Sequence, residues 1–464
     1  MSEEQRRIDE LLKKLAVLEA EVERLQAENA ELRRRLGQTS QNSHKPPSSD
    51  GYRKKSVRPA LPKPDQRAAG GQVGHTGKTL HQVSEPDQVQ VHLPVACSVC
   101  GRAIGADEGH ALVGKRQVFD LPEPRLEVIE HRLGELECCG QVHTGQYPGY
   151  VTASVQYGPG VRALVTKLSV DHKMPLEQIG GLFSDLYGYA LNSETVERTL
   201  AHGHDLMAPL EAQVREELQH APTVHFDETG LRVAGKLHWL HTAGTASYTY
   251  LFVHAKRGQK ALHSEKSVLK DFTGYAIHDC LTSYFSFTEA KHGLCHAHLL
   301  RELHALTEAQ SPWAPAMRDL LLELHQARPE ATRASPAADR LRQRYHQILR
   351  QADEAEQPPK AQTGKGRPKN TPGRNLLRRL QQHEEAVLAF ARVAGVPFTN
   401  NLAERDLRPA KVKQKVSGCF RTIRGADIYA RLQAMIATCR KQGRNIFATL
   451  RDIFSGQPVS LLAG

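Results

Sequence analysis

The stretch His225–Leu240, HFDETGLRVAGKLHWL, decides the fold predicted for this chain. The apolar run Thr223–Phe226 predicts a short strand that ends at a pair of carboxylates beginning with Asp227. Glycines at positions 230 and 235 then predict a turn into a second β-rich run. Bare charges at a strand end are unfavourable unless something compensates them, so the sequence predicts a partner for Asp227.

Further segments predict more of the same sheet and a helix beside it. KLHWLHTA (236–243) and YTYLFVHA (248–255) are β-rich and alternate, which favours two strands antiparallel to the first. GYAIHDCLTSYF (274–285) predicts a fourth short strand that ends at Asp279. Much later, VPFTNNLAERDLR begins a helix near Thr399 or Asn400 and carries Glu404 about one turn in.

Two aspartates at neighbouring strand ends and one glutamate on a helix form an oxygen cage of the kind that magnesium prefers. Two such ions, roughly 4 Å apart, activate an attacking oxygen and stabilise the leaving oxygen of a phosphodiester. Any one of these acids alone is better explained as a solvated turn residue. The basic residues around and after Glu404 favour a metal site that acts on nucleic acid, because residues 401–445 hold eleven Lys or Arg and three acids, a net charge of +8.

Composition points to a nucleic-acid partner. The 464 residues suggest roughly three domains on a rule of about 150 residues each. The net charge is +11, an excess that favours binding to a polyanion. No apolar stretch approaches the roughly 18 residues of a spanning helix and the N-terminus lacks a signal-peptide pattern, so we expect a cytoplasmic protein with no membrane partner.

The N-terminal segment 1–37 carries heptads over residues 8–36. Apolar side chains occupy the a positions Ile8, Leu15, Val22 and Leu36 and the d positions Leu11, Leu18, Leu25 and Leu32. A polar Asn29 at one a position fixes register and favours a parallel dimer, so the segment predicts a coiled-coil (leucine zipper) homodimer. An ordinary amphipathic helix packed on its own domain is the alternative.

A basic, Pro/Gly/Ser-rich stretch (38–85) follows and predicts a flexible linker. Between 38 and 80 it has eight Lys or Arg and two Asp, a net of +6. Such a linker can track DNA phosphates, and a solvated spacer explains the composition nearly as well.

The next segment (86–150) contains four clustered cysteines, too few in a long chain for a disulfide scaffold. Cys97 and Cys100 form a Cys-x-x-Cys knuckle, and Cys138 and Cys139 follow 37 residues later. This spacing predicts a structural Zn²⁺ in a zinc-ribbon-like (zinc-finger) segment. Adjacent cysteines can bind one ion only on a tight turn, so His143 competes as fourth ligand, and two reduced buried pairs remain the alternative.

Residues 151–215 have helical periodicity with a break at GYALNSETVERTL. Asn192 or Ser193 can cap a new helix after a turn at Gly188. The pattern predicts a helix-turn-helix able to enter a major groove, or equally a two-helix support.

On these motifs the chain resembles the DDE transposases of the insertion sequence 66 family. The resemblance covers nearly the whole chain and rests on the zipper, the cysteine region and the motifs SQNSHKPPSSDG, GGQVGHTGKTL, HFDET, HDCLTSYF, CHAHLLREL, GRNLLRRL and VPFTNNLAERDLRPAKVKQKVSGCFR. It implies an α/β fold with a ribonuclease-H-like catalytic core divided by a helical insertion, and a catalytic triad of Asp227, Asp279 and Glu404 with Mg²⁺. It also implies that small accessory proteins from the same element take part.

This resemblance completes the predicted domain organisation. The catalytic core is expected in two parts, residues 216–306 and residues 396–445, and the second part includes the basic flank. A helical insertion, 307–395, separates them and is broken at PPKAQTGKGRPKNTPG, and a C-terminal tail follows at 446–464. The expected activity is cleavage and joining of DNA strands at the ends of the element. Terminal repeats and target DNA are the expected partners. The predicted DNA-binding residues are Arg301, Arg405, Arg408, Lys411, Lys413, Lys415 and Arg421.

Three further expectations concern residues near the site. His298 and Arg301 share a helix face and could touch the scissile phosphate, or serve a structural role. Cys295 with His296 and His298 is better explained as a buried cysteine beside surface histidines than as a second zinc site. Glu228 should point to the opposite face of the strand from Asp227 and lie outside the cage.

Two rival functions remain open on the sequence. A non-enzymatic DNA-binding regulator built from zipper, zinc segment and helix-turn-helix leaves the three carboxylates unexplained. A ribonuclease-H-like nuclease without strand transfer would use the same metal site, and only joined products distinguish it.

Overall fold

The computed structural model describes residues 3–36, 79–105, 109–327, 336–358 and 370–462. The chain divides into two compact units, Met1–Tyr52 with Ile129–Gly464, and Arg53–Val128. The helices are α1 Glu3–Leu36, α2 Pro159–Thr166, α3 Leu176–Tyr187, α4 Ser193–Leu206, α5 Ala208–His220, α6 Gln259–Leu262, α7 His296–Glu308, α8 Ala314–Gln326, α9 Pro336–Ala355, α10 Pro372–Gln382, α11 Glu384–Arg392, α12 Asn401–Ser417, α13 Ile423–Lys441 and α14 Ile446–Phe454. The strands are β1 Glu135–Cys138, β2 Gln141–Thr144, β3 Thr223–Val233, β4 Lys236–Gly244, β5 Thr249–His254, β6 Tyr275–His278 and β7 Lys291–Leu294. Among the described residues, no helix is both long and apolar enough to cross a membrane.

The heptad segment forms the single helix α1. Its described a and d side chains are exposed on the chain, with Leu18 at 62% and Leu25 at 50%. The side chains of Ile8 and Leu36 lie outside the described residues, as does the linker from 37 to 78.

The helices before the sheet have a small core of their own, formed by Val165, Ile179, Phe183, Leu191 and Val196. The predicted cap is confirmed, since the side chain of Asn192 accepts a hydrogen bond from the backbone N–H of Thr195 at 2.7 Å. Gly188 ends α3 in the left-handed region, with φ +73°. A residue with a side chain at Gly180 would place its Cβ 2.2 Å from the carbonyl oxygen of Leu191, so glycine allows α3 to approach the segment before α4.

The central sheet has five strands in the order β5-β4-β3-β6-β7. Both predicted strands are present, and β4 is antiparallel to β3 as predicted, but β5 pairs antiparallel with β4 and therefore runs in the same direction as β3. On the other side β3 pairs parallel with β6, and β6 with β7. The carboxyl ends of β6 and β7 therefore meet at one edge beside the middle of β3, and carboxyl ends of parallel strands are where open α/β sheets place their ligands.

One prediction about β3 is wrong. The strand does not end at Asp227 but continues through Gly230 to Val233, and the turn lies at Ala234 and Gly235, with φ +48° and +75°. Continuation is possible because β4 pairs with β3 along nearly its whole length. Parallel pairing with β6 stops at His225, so Asp227 lies where one neighbour ends rather than where the strand ends.

Two larger cores lie beside this sheet. The first joins the sheet to α5, α13 and α14, and α12 packs on β3 and β4. The second is formed mainly by α7 to α11, with Trp313 and Tyr345 fully buried, and α11 packs against β7. The predicted insertion, 307–395, is thus helical where it is described. Its hydrophobic core also includes residues that precede position 307 in the chain, among them Leu299 and Leu303 of α7.

Candidate metal centre at the carboxyl edge of the sheet

Asp227 and Asp279 are brought together by the register of two parallel strands. His225 of β3 lies opposite Ile277 of β6, so the residues two places further on, Asp227 and Asp279, lie at the same level. Residues two apart on extended chain point to the same face. Their carboxylate oxygens, with one from Glu228, lie within 4.8 Å of one another. The predicted convergence of the two aspartates is therefore present in the structure.

Glu228 joins this cluster, and the expectation that it lies outside is wrong. Its carboxylate is buried and accepts hydrogen bonds from Nε of Arg257 at 2.7 Å and from the hydroxyl of Tyr284 at 2.7 Å. The guanidinium of Arg257 also lies 3.7 Å from Asp279. Alternation along the strand failed as a guide because these partners from outside β3 hold the Glu228 carboxylate at the cluster.

The acidic cluster has more negative charge than its surroundings compensate. Among the residues that the structure describes, the one guanidinium within 4 Å of these three carboxylates is that of Arg257. Desolvation raises the pKa of Asp227 well above its ordinary value, and the charges of Glu228, Asp279 and Glu404 raise it further. Desolvation and the charge of Asp279 likewise raise the pKa of Glu228, although Arg257 opposes them. Such a site favours either protons or an added cation.

Asn400 fixes the start of α12 against the sheet. It precedes α12, as predicted, and its side chain donates to the carbonyl of Phe226 at 2.7 Å and contacts Nδ1 of His225 at 2.8 Å. Its backbone N–H donates to the sulfur of Cys295, which directly follows β7. One buried asparagine thus connects the helix that carries Glu404 to two strands of the sheet.

The rest of α12 runs alongside β3. Lys411, two turns beyond Glu404, donates from Nζ to the carbonyl of Gly230 at 2.7 Å. Seven helical residues and three strand residues both span about 10 Å, so this bond places Glu404 near the level of Asp227. At the far end, Phe420 exchanges backbone hydrogen bonds with Arg232 and Ala234.

Glu404 nevertheless belongs to a second group of possible ligands. An oxygen of Glu404, the sulfur of Cys295 and a ring nitrogen of His298 lie within 4.8 Å of one another. The charge of Glu404 still contributes to raising the pKa of Asp227, so this carboxylate also acts electrostatically on the acidic cluster. The structure therefore pairs the two aspartates closely and places Glu404 beside them rather than inside the same cluster.

The neighbouring histidines differ from expectation. His296 is fully buried, not a surface residue, and stacks on Phe398 at a ring distance of 4.4 Å. His298 is half-buried and Cys295 is buried, as expected for the latter. Burial of His296 follows from its place in the first turn of α7, which packs in the helical core.

The predicted DNA-binding residues fall into two groups. The side chains of Arg405, Arg408, Lys415 and Arg421 are exposed, and Arg301 is half-buried. Lys411 is engaged by the carbonyl of Gly230, and desolvation lowers the pKa of Lys411 and of Lys413. Glu404, Arg408, Lys411 and Lys415 recur at spacings of four, three and four and share one face of α12.

The four predicted zinc ligands are divided between the two compact units, one pair in each. Cys97 and Cys100 lie on a tight turn closed by a bond from Gly101 N–H to the carbonyl of Cys97, and backbone N–H groups lower the pKa of Cys97. Cys138 and Cys139 lie at the turn of the β1–β2 hairpin, with their sulfurs 3.7 Å apart. Cys139 adopts φ +53°, which supplies the tight turn that adjacent ligands require.

Sequence reasoning missed Arg257 and Asn400 as parts of the site. Nothing near Arg257 in the sequence marks it, because its role follows from the fold placing it over Glu228. Asn400 was considered only as the start of a helix, although an asparagine that precedes a helix can also reach a neighbouring strand. Tyr284 was missed for the same reason as Arg257.

Fold and site together define a mixed α/β protein with an acidic cluster on its central sheet and a basic helix beside it. The family model described as "Transposase IS66 family" matches residues 154–428, which contain Asp227, Asp279 and Glu404. The chain belongs to this family of transposases, enzymes that act on DNA, and the predicted resemblance is confirmed. A second model, a family of unknown function (DUF6444), matches residues 1–81. A comparison with curated proteins finds no match.

Proposed function

We propose that this protein is a DDE-type transposase with a ribonuclease-H-like core, which cleaves and joins DNA strands at the ends of an insertion sequence. Asp227, Asp279 and Glu404 are its catalytic acids. The observation that carries the proposal is the convergence of Asp227 and Asp279, 52 positions apart, at the edge where α12 delivers Glu404. The parallel pair β3–β6 beside the antiparallel strands β4 and β5 fits such a core.

The acidic cluster suits magnesium as the proposed cofactor. Its donors are all carboxylate oxygens, the ligands that this hard cation prefers. Desolvation and the facing like charges raise the pKa of Asp227 and of Glu228, and a divalent cation would supply the missing positive charge. Asp227, Asp279 and Glu404 would hold two Mg²⁺ ions, which when bound polarise the attacking and leaving oxygens of the phosphodiester.

The chain's own residues provide the DNA path and the geometry. Arg408 and Lys415 lie on the face of α12 that carries Glu404, so phosphates bound there lead toward the acids. Arg405 and Arg421 add exposed positive charge on and just after this helix. Asn400 and Lys411 keep the helix in place against β3, which sets the position of Glu404.

Strand cleavage and joining on duplexes that carry the element's own ends would test the proposal. We expect Mg²⁺-dependent products from the wild-type protein and at least a hundredfold loss with Asp227→Asn, Asp279→Asn or Glu404→Gln, as about 3 kcal/mol of lost transition-state stabilisation corresponds to such a factor. Glu289→Gln, an exposed acid on the same unit, is the matched control and should retain activity. Full activity in all three acid variants would refute the proposal, and cleavage without joining would reduce it to a nuclease.

We also propose that α1 forms a parallel dimer. The described leucines of its heptads are exposed in the single chain, and pairing with a second copy of α1 would bury them. Leu18→Glu should convert a dimer to a monomer in sedimentation, whereas Lys13→Glu, at an exposed f position on the outer face of the helix, should not. Monomers in the wild type would refute this assignment.

Zinc binding and end recognition complete the proposal. Cys97, Cys100, Cys138 and Cys139 are proposed as the ligands of a structural Zn²⁺, with His143 as the competing fourth ligand, and metal analysis of Cys-to-Ser variants tests this.

Recognition of the terminal repeats is assigned to the zinc segment and the α3–α4 pair, with sequence-independent affinity from the linker. The described exposed charges of α4 are three acids and one arginine, so α4 depends on neighbouring basic segments for affinity. Small accessory proteins of the same element are further proposed partners.

A further inference from the structure

Cys295, His298 and Glu404 form a mixed soft and hard donor set beside the acidic cluster. Their sulfur, nitrogen and oxygen lie within 4.8 Å of one another. In tetrahedral zinc sites the ligand atoms lie about 3.5 Å apart, as follows from metal–ligand distances of about 2.0–2.3 Å. Small side-chain rotations would therefore bring the three groups onto one ion.

The strand register that aligns Asp227 with Asp279 also positions Cys295. His278 of β6 lies opposite Leu294 of β7, so Asp279 and Cys295 follow at the same level. Asp227, Asp279 and Cys295 thus lie side by side after or along three parallel strands. His298 is three residues further on in α7 and shares a helix face with Cys295.

The donor types separate the two groups chemically. Asp227, Glu228 and Asp279 offer oxygen alone, which suits magnesium. Thiolate and imidazole favour zinc and similar borderline or soft ions. Glu404 lies between the groups, because its charge acts on both Asp227 and Cys295.

We propose that a thiophilic divalent ion of the zinc class binds to Cys295, His298 and Glu404, and so draws Glu404 away from the acidic cluster. Three protein ligands leave a fourth position open, as in zinc sites that are not purely structural. Micromolar zinc then inhibits strand cleavage by competing with magnesium for Glu404. The inhibition rests on the proposed function, but binding of the ion does not.

Cobalt(II) titration of the full-length protein in magnesium-free buffer tests the binding step. We expect absorption from thiolate-to-cobalt charge transfer and tetrahedral d–d bands, with one fewer ion bound per chain in Cys295→Ser than in wild type. Cys439→Ser, another buried cysteine outside the site, is the matched control and should bind as wild type. His298→Gln provides a second variant in case Cys295→Ser folds poorly, and it should weaken binding at this site at least about tenfold.

Equal cobalt stoichiometry and spectra in wild type, Cys295→Ser and His298→Gln would overturn the proposal. Asp227→Asn separates this outcome from failure of the proposed function, because it should abolish cleavage yet retain the cobalt spectrum. Where cleavage is measurable, each variant's rate with zinc is divided by its own rate without zinc. We expect zinc to lower this ratio in wild type and to leave it near one in Cys295→Ser.

Discussion

Replacing Asp227 with asparagine should stabilise the metal-free protein. The amide keeps the shape of the side chain and can still accept the bond from the backbone N–H of Glu228 at 2.8 Å, but it removes one charge from the acidic cluster. At an effective dielectric constant of about 20, two carboxylate oxygens 4.8 Å apart repel by about 3.5 kcal/mol. Asp227 has two such neighbours, Glu228 and Asp279.

Protonation limits how large this effect can be. At pH 7, protonating a carboxyl whose ordinary pKa is 3.8 costs about 4 kcal/mol, so repulsion beyond that figure is relieved by uptake of a proton. Arg257 compensates part of the cluster's charge through Glu228 and Asp279. We therefore expect Asp227→Asn to raise the free energy of unfolding by about 1–4 kcal/mol in EDTA.

Urea denaturation followed by tryptophan fluorescence measures this difference, and Trp239 lies close to the site because Arg257 stacks over its ring at 5.1 Å. Added Mg²⁺ should stabilise the wild type and have little effect on Asp227→Asn, since a bound ligand stabilises only the state that binds it. Asp185→Asn, an exposed aspartate on α3, is the matched control and should change neither quantity. An Asp227→Asn variant that is less stable than wild type in EDTA and equally stabilised by Mg²⁺ would refute the reasoning.

The remaining predictions concern pH, the helix α12 and DNA. The stability advantage of Asp227→Asn in EDTA should shrink as pH falls toward 3.8, the ordinary pKa of an aspartate. The raised pKa of Asp227 means that the folded wild type binds this proton more tightly than the unfolded chain, so lowering the pH stabilises it. An advantage independent of pH in parallel urea titrations would contradict this. Asn400→Ala should lower the free energy of unfolding by about 1–3 kcal/mol through loss of its buried bonds, whereas the exposed neighbour Asn401→Ala should be near neutral in the same denaturation assay. Arg408→Ala and Lys415→Ala should each weaken DNA binding and reduce the slope of log affinity against log salt by about 0.9, and an unchanged slope in filter-binding or anisotropy measurements would exclude them from the phosphate path.

The sequence alone predicted the strands around HFDET well, and for a physical reason. The segment of β5 is a short run rich in aromatic and branched apolar residues, and its first five residues are buried, as expected for a strand in the interior of the protein. The cap at Asn192 was equally readable, because an asparagine before a helix satisfies backbone N–H groups that the helix leaves open. Asn400 also precedes its helix, but its side chain bonds to β3 instead of capping α12.

The end of β3 was predicted wrongly because local signals misled. A charged pair and Gly230 resemble a strand end, but β4 pairs with β3 well beyond them and keeps the chain extended. Whether a strand continues depends on its pairing with a neighbouring strand, here β4 across the turn at Ala234 and Gly235, and the propensities of single residues do not contain that information.

What the sequence determined by itself was the set of chemical groups: acids spaced along strand and helix patterns, a heptad, and a basic flank. What only the tertiary structure decided was which of those groups meet. Register between parallel strands placed Asp227 beside Asp279 and Asp279 beside Cys295, and the pairing of Glu228 with Arg257 and Tyr284 drew it into the cluster. Glu404 came to lie between two donor sets for the same reason, because contacts between residues far apart in the chain are set by packing and hydrogen bonding across elements, which no local pattern specifies.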